Sequence, residues 1–472
     1  MKLTQVLLVA LATLTVVGTV AIVSSPGPMF TPRVVSPPPS TNPRLSRNFE
    51  LIDFLPLGFV TDGSVDYSNE VRRAFAAASG GTLRLPNFPV RVSRAPGQSW
   101  CVLVEGPMLV EGGPSAALIE TQGAVQLLRV RDVSGFTLRD VTLRGLKGHG
   151  QGLGHGLLQV FGGSQVHLER VRIDSCDVDG IAVSGVSGLT ITGCSVVNAS
   201  KSALYVNASR RVRVQHNEVT NFGGHRTPSG TIVGTGIQLS SNTDVVCAHN
   251  VIEAGVGIGI LVNALENGAP PVGTTVAHNR ITGVTNPTNG NVSGGIRLAN
   301  GNSDRRTQTV VTGNSVRACG QNGIYVENHA GALVAQNSVF ESERNGILVS
   351  TVQAAMIVDN LVMNSGTSGL TNLSQIQLIN QATDVVVRGN ELGSLEGLAA
   401  GAARDAVHDG SAQGSNHIDP FIRFGNQQLA GRPARRGDIA LTRNPATGGY
   451  VGSICITAGT PGVWKPFGRI EN

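Results

Sequence analysis

The residues best equipped for chemistry in this chain gather where a repeated strand begins. Four successive segments read "GHGLLQV" (Gly154–Val160), "VDGIAV" (Val178–Val183), "KSALYV" (Lys201–Val206) and "TGIQL" (Thr235–Leu239). Stacked in register, they set His155, Asp179, Lys201 or Ser202, and Thr235 roughly 5 Å apart on one face. Asp174 and Asp177 flank the same corner. Two longer stretches run beside it, Arg144–Gly154 with His149 and Thr220–Gly234 with His225 and Arg226. Such a set suits uronate chemistry. Lys201 or Arg226 would neutralise a sugar carboxylate, and His155 or His225 would take the adjacent proton. The aspartates offer two other uses: Asp174, Asp177 and Asp179 supply an acid/base pair for glycoside hydrolysis, or oxygen ligands for calcium, the one cofactor the residues suggest. The plainer reading stands beside these. Asp179 shares its slot with Asn322 and Asn345, as a turn residue before Gly would.

The elements that position these residues are written in a repeated phrase. It reads "VRVQHNEV…GTGIQL" at Val212–Leu239 and "VVCAHNVI…GIGILV" at Val245–Val262, and returns at Val310–Val326, Leu333–Val349 and Met356–Leu378. Its Asn column is Asn217, Asn250, Asn279, Asn314, Asn337, Asn360 and Asn390, with Val141, Val171 and Cys194 in the same slot upstream. The shortest step is 23 residues and the longest 35. Each unit holds three short β-branched segments of period two and no helical periodicity. A unit so short cannot fold alone and must stack on its neighbours. The expectation is an all-β, right-handed parallel β-helix of about 10–11 rungs. The Asn column is structural: Asn tolerates a left-handed corner, and stacked amides bond from rung to rung.

The ends differ from the middle. Residues 1–25 form an apolar segment suited to a secretory signal or an uncleaved anchor, and a Pro-rich tether follows over 26–50. An N-terminal cap is expected over 51–99, the solenoid over 100–392, a Gly/Ala-rich linker over 393–436 and a small β module over 437–472. In the cap, Asp66 or Ser68 begins a helix with an apolar face of Val71, Ala74, Phe75 and Ala78. The whole stretch "GFVTDGSVDYSNEVRRAFAAASGGTLRLPNFPVRVS" (Gly58–Ser93) resembles the N-terminal signature of the pectin-lyase-like superfamily. That resemblance implies a β-helix of a kind that often acts on polysaccharides as lyase, hydrolase or uronate epimerase. "GLGHG" at Gly152–Gly156 is similar to a polygalacturonase motif, but the paired aspartates here follow the His instead of preceding it. No pectate-lyase or mannuronate-epimerase catalytic signature is present.

Composition narrows the partners. With 61 Gly, 4% aromatic and 14% charged residues, the chain has a narrow core and few rings on which bases could stack. Net charge is +5 without a dense basic run, so an acidic polymer fits better than nucleic acid. A membrane enters only through an uncleaved N-terminus. His216, His249 and His278 each precede a corner Asn, as tolerant turn positions or as a site for a metal or for pH response. Six Cys in repeat slots show no disulfide framework, and Cys194 and Cys247 take small core positions. Tyr450, Trp464 and Phe467 give the C-terminal module much of the aromatic surface, for a cap, a dock or a sugar stack. Three function classes follow: an exported enzyme on an acidic polysaccharide, a non-catalytic glycan-binding surface protein, and a phage tailspike. The export segment opposes the third.

Overall fold

The computed structural model describes residues 47–471, apart from 124–125, 148–155, 227–231, 265–267, 286–293, 300–306, 367, 369–372, 394–404, 412–415, 419–421, 425–435, 443–444 and 460–461. The described residues lie in one compact unit. The expected leader and most of the tether fall outside them, and so does His155. No helix among them is long and apolar enough to cross a membrane.

Three parallel sheets coil into a right-handed β-helix, and they hold 12, 14 and 12 strands among the described residues. Along each rung the chain passes through sheet I, then II, then III. In one rung these strands are Ser202–Asn207, Arg210–Gln215 and Glu218–Thr220. The core comes from the period-two residues. Leu204, Ile237, Ile260, Ile296, Ile324, Ile347 and Ile376 stack in register on the inner side of sheet I, each fully buried. Valine and isoleucine suit this column because they pack well on a pleated surface. The solenoid is slightly longer than the repeat phrase marks, because its first rungs lack the Asn.

Between sheets II and III the turn is always two residues from Val141 to Asn390. Its first residue is left-handed in every rung, with φ between +50° and +64° from Asp140 to Gly389. This corrects the expectation for Asn. The left-handed residue is the one before it, and the Asn itself points inward, where its amide meets the next rung. From Asn217 to Asn390, each Nδ2 donates to the following Oδ1 at 2.9–3.0 Å. The same oxygen accepts the preceding backbone N–H at 2.9–3.0 Å. A buried turn thereby satisfies its polar groups without water.

The N-terminal end is closed by helix α1, Ser68–Ala77, with Val71, Ala74 and Phe75 buried. Tyr67 is its N-cap, and Asp66 just before it accepts the Ser68 N–H at 2.9 Å. Arg72 pins it to the first rungs through the carbonyls of Cys101 and Ser93, at 2.9 and 2.7 Å. Toward the C-terminus, Asp405–Ser411 and His417–Ile418 add strands to sheets I and II within the stretch expected as linker. The last sheet comprises Ile422–Phe424, Ile439–Leu441, Tyr450–Thr457 and Val463–Arg469, the last three antiparallel. All six cysteines are free and buried, and burial pushes the thiols of Cys194 and Cys247 up to about 12.

Candidate functional site

Rungs can grow only at turns, and the growth is one-sided. The II–III turn never lengthens after Val141, whereas the turns bordering sheet I do. Between sheets III and I, long connections run over 145–155, 221–234, 283–293, 364–373 and 394–404; between I and II they run over 264–271 and 300–309. The longer connections thus fall at the two turns that border sheet I, and long loops gathered beside one face are the usual way a solenoid makes a binding surface.

The outer face of sheet I is mostly polar and aromatic. One outward column runs Gln159, Ala182, Tyr205, Gln238, Leu261, Arg297, Tyr325, Leu348 and Gln377 in register. Two of the chain's four tyrosines lie in it. Gln238 Nε2 donates to Ser240 Oγ at 3.1 Å, and that hydroxyl donates to Asn263 Oδ1 at 2.7 Å. Arg297 lies over the Tyr325 ring at 5.4 Å and donates to Glu327 at 2.5 Å. Burial, and then the Glu327 charge, push the Tyr325 phenol up to about 12. Burial, and then Asp179, raise that of Tyr205. These side chains are fixed and partly dry before any ligand arrives.

The III–I corner gathers part of the expected cluster. Lys201 N–H donates to Val178 O at 3.0 Å, and His225 N–H to Ser200 O at 2.9 Å, so three segments converge beside Asp177 and Asp179. Both aspartates are buried, at 6% and 1% exposure. The register refines the alignment: Asp179 pairs with Gly156, and Ser202 with Thr235. Ser202, not Lys201, therefore faces Asp179, and Lys201 stands one position earlier. Asp179 Oδ1 accepts the Ser202 N–H at 3.0 Å. Asn345 accepts Ser374 N–H in the same way, at 2.9 Å. Asp179 thus builds the corner.

The other expected residues are placed differently. Asp174 lies on sheet III and is ion-paired with Arg144 at 3.1 Å. Arg226 belongs with His225 to a short ribbon paired to Ile232–Val233, and its side chain is outside the described residues. His155 and His149 are outside them too. His216, His249 and His278 stack at 5.0 and 5.2 Å on the II–III corner, away from sheet I. Among the described residues, no group of three or more His, Cys, Asp or Glu is arranged to hold a metal ion. Sequence reasoning overlooked Tyr205, Tyr325, Gln159 and Gln238. Their signal is the variable slot of the Gly-Ile-x-Val phrase, which is the outward one.

Residues 126–306 match the family model described as the right-handed beta helix region. No curated protein matches the chain. Among solved structures, the catalytic unit of a thermostable α-1,3-glucanase from Streptomyces thermodiastaticus aligns with TM-score 0.51 at 14% identity, over 79% of this chain and 70% of that one. The A-module of a mannuronan C-5 epimerase from Azotobacter vinelandii aligns with TM-score 0.47 at 16% identity, over 79% of this chain and 99% of that one. Tailspike protein 3 of bacteriophage CBA120 aligns with TM-score 0.44 at 14% identity, over 89% and 68%. The chain folds as a right-handed parallel β-helix.

Proposed function

We propose that this is an exported protein acting on an acidic, uronate-containing polysaccharide along the outer face of sheet I. The observation that carries this reading is the one-sided growth of the rungs around a face paved with Tyr205, Gln238, Arg297 and Tyr325. Amides, hydroxyls and rings are the groups that hold sugars, and a weakly basic chain favours an acidic one. In the corner beside Tyr205, Lys201 would balance the sugar carboxylate and His225 would take the neighbouring proton. Asp177 and Asp179 would serve hydrolysis instead. The fold neighbours named for glucanase and epimerase activity agree with a glycan ligand.

The test is to incubate the full-length protein with uronate and neutral polymers, with and without calcium. New unsaturated ends mark elimination, new reducing ends alone mark hydrolysis, and altered sugar stereochemistry marks epimerisation. Asp179→Asn is the informative variant, because Asn already fills this corner slot in other rungs and the fold should persist. Turnover lost in Asp179→Asn, Lys201→Ala or His225→Ala supports the corner as the active centre. Turnover retained in all three removes it. Binding without turnover in the wild type would make the protein a glycan-binding β-helix.

A further inference from the structure

The I–II corner holds a second feature that the face of sheet I does not use. Four consecutive turns, at Gly163, Gly185–Val186, Ala208–Ser209 and Ser241, form the back of a half-open cleft of about 530 Å³. Gly268 and Ala269, from the connection after Asn263, also line it. The volume lies within the 300–1,000 Å³ typical of small-ligand pockets. Its back wall is rigid. Ser209 is 2% and Asn242 1% exposed. Ser209 Oγ donates to Asn207 O at 2.8 Å and accepts the Val186 N–H at 3.1 Å. Asn242 accepts the Ser209 N–H at 2.8 Å. At Gly163, with φ +88°, an added Cβ would meet Val133 O at 1.9 Å, so the wall cannot thicken there.

Arg210 lines this cleft, and its neighbour Arg211 reaches it at the Ser187 hydroxyl. Arg210 Nε donates to Ser187 Oγ at 3.0 Å, and Arg211 Nη2 donates to the same oxygen at 2.8 Å. Among the described residues, neither arginine has a carboxylate within ion-pair distance. Asp244 follows Arg211 in the sheet II register without pairing to it. Two adjacent forks without a carboxylate partner among the described residues, which leave out Glu266 on the connection that carries Gly268 and Ala269, stand next to hydroxyls and the Asn207 amide and suit a carboxylate or sulfate carried on a sugar ring.

We propose that this cleft is an accessory subsite for one anionic sugar unit. It lies at the border of sheet I, two residues beyond Tyr205, and takes a residue or branch of the same acidic polymer. The inference rests on the proposed function for the substrate class, and its geometry is independent of the Asp179 corner.

Isothermal titration of the full-length protein with oligouronates, sulfated oligosaccharides and neutral oligosaccharides of equal length tests it. Replacing both arginines (Arg210→Gln with Arg211→Gln) should weaken anionic ligands by at least about tenfold, as expected for losing a bidentate charge-assisted pair. Neutral ligands should be unaffected. Ala269→Trp, which fills the cleft and keeps its charges, should weaken the same ligands, and Asp244→Asn should tighten them. Preference between the uronate and sulfate arms identifies the anion. Unchanged anionic affinity in both the double variant and Ala269→Trp overturns the subsite. If that occurs while Asp179→Asn still abolishes turnover, only the subsite falls. A wild type that binds no anionic glycan overturns both.

Discussion

At the residue scale, the groups that matter combine structural and chemical duties. Asp179 holds its corner as Asn345 does, yet its charge reaches the Tyr205 phenol. From the sequence, its alternation with Asn322 and Asn345 was legible, and so was the structural duty. The choice of Ser202 over Lys201, and of Gly156 over His155, was not. Ala203 and Leu157 occupy the slot that Gly fills elsewhere, so those rungs lost the marker that fixes alignment. His329 gives a separate prediction. It is 1% exposed and bonded to Thr307 and Thr309, and burial pushes its imidazole down to about 4. The unfolded chain therefore binds a proton that the folded one refuses between roughly pH 6.5 and 4. Its neutral packing supports the fold fully above that window. Stability should fall by about 3 kcal/mol as pH drops through it. Chemical denaturation of wild type and His329→Gln across this range checks it, and the variant should show a shallower fall.

At the element scale, the two-residue II–III turn separates neighbours sharply. Asn279 donates to Cys247 O and Asn314 Oδ1, each at 3.0 Å, and accepts two bonds from Asn250. Asn279→Ala strands several buried polar groups and should cost about 3 kcal/mol or more. His278, one residue earlier, is exposed and left-handed at φ +55°. Gly occupies its slot at Gly193, Gly313 and Gly389, so His278→Gly should change stability by less than about 1 kcal/mol. Urea unfolding of the two variants measures the contrast. The Asn column itself was legible because its spacing is regular. Which residue turns left-handed was not, since Asn favours that conformation in isolation and only the stacked amides hold it inward.

At the scale of the whole molecule, strand periodicity carried the fold into view before any coordinate did. Inward slots are mostly β-branched or Leu, so they announce themselves; outward slots vary, and one chain offers three outward faces. Only the strand order shows that the insertions fall at the two turns bordering one of them. The functional claim rests on that asymmetry, and a single rung can test it. Tyr205 lies outward on sheet I, Arg213 on sheet II and Thr220 on sheet III. The decisive measurement is the affinity of the full-length protein for an acidic polysaccharide after replacing each of the three by Ala. Tyr205→Ala should weaken binding by about tenfold, with the other two within about twofold. Equal losses on all three faces, or a loss confined to sheet II or III, would contradict sheet I as the working face.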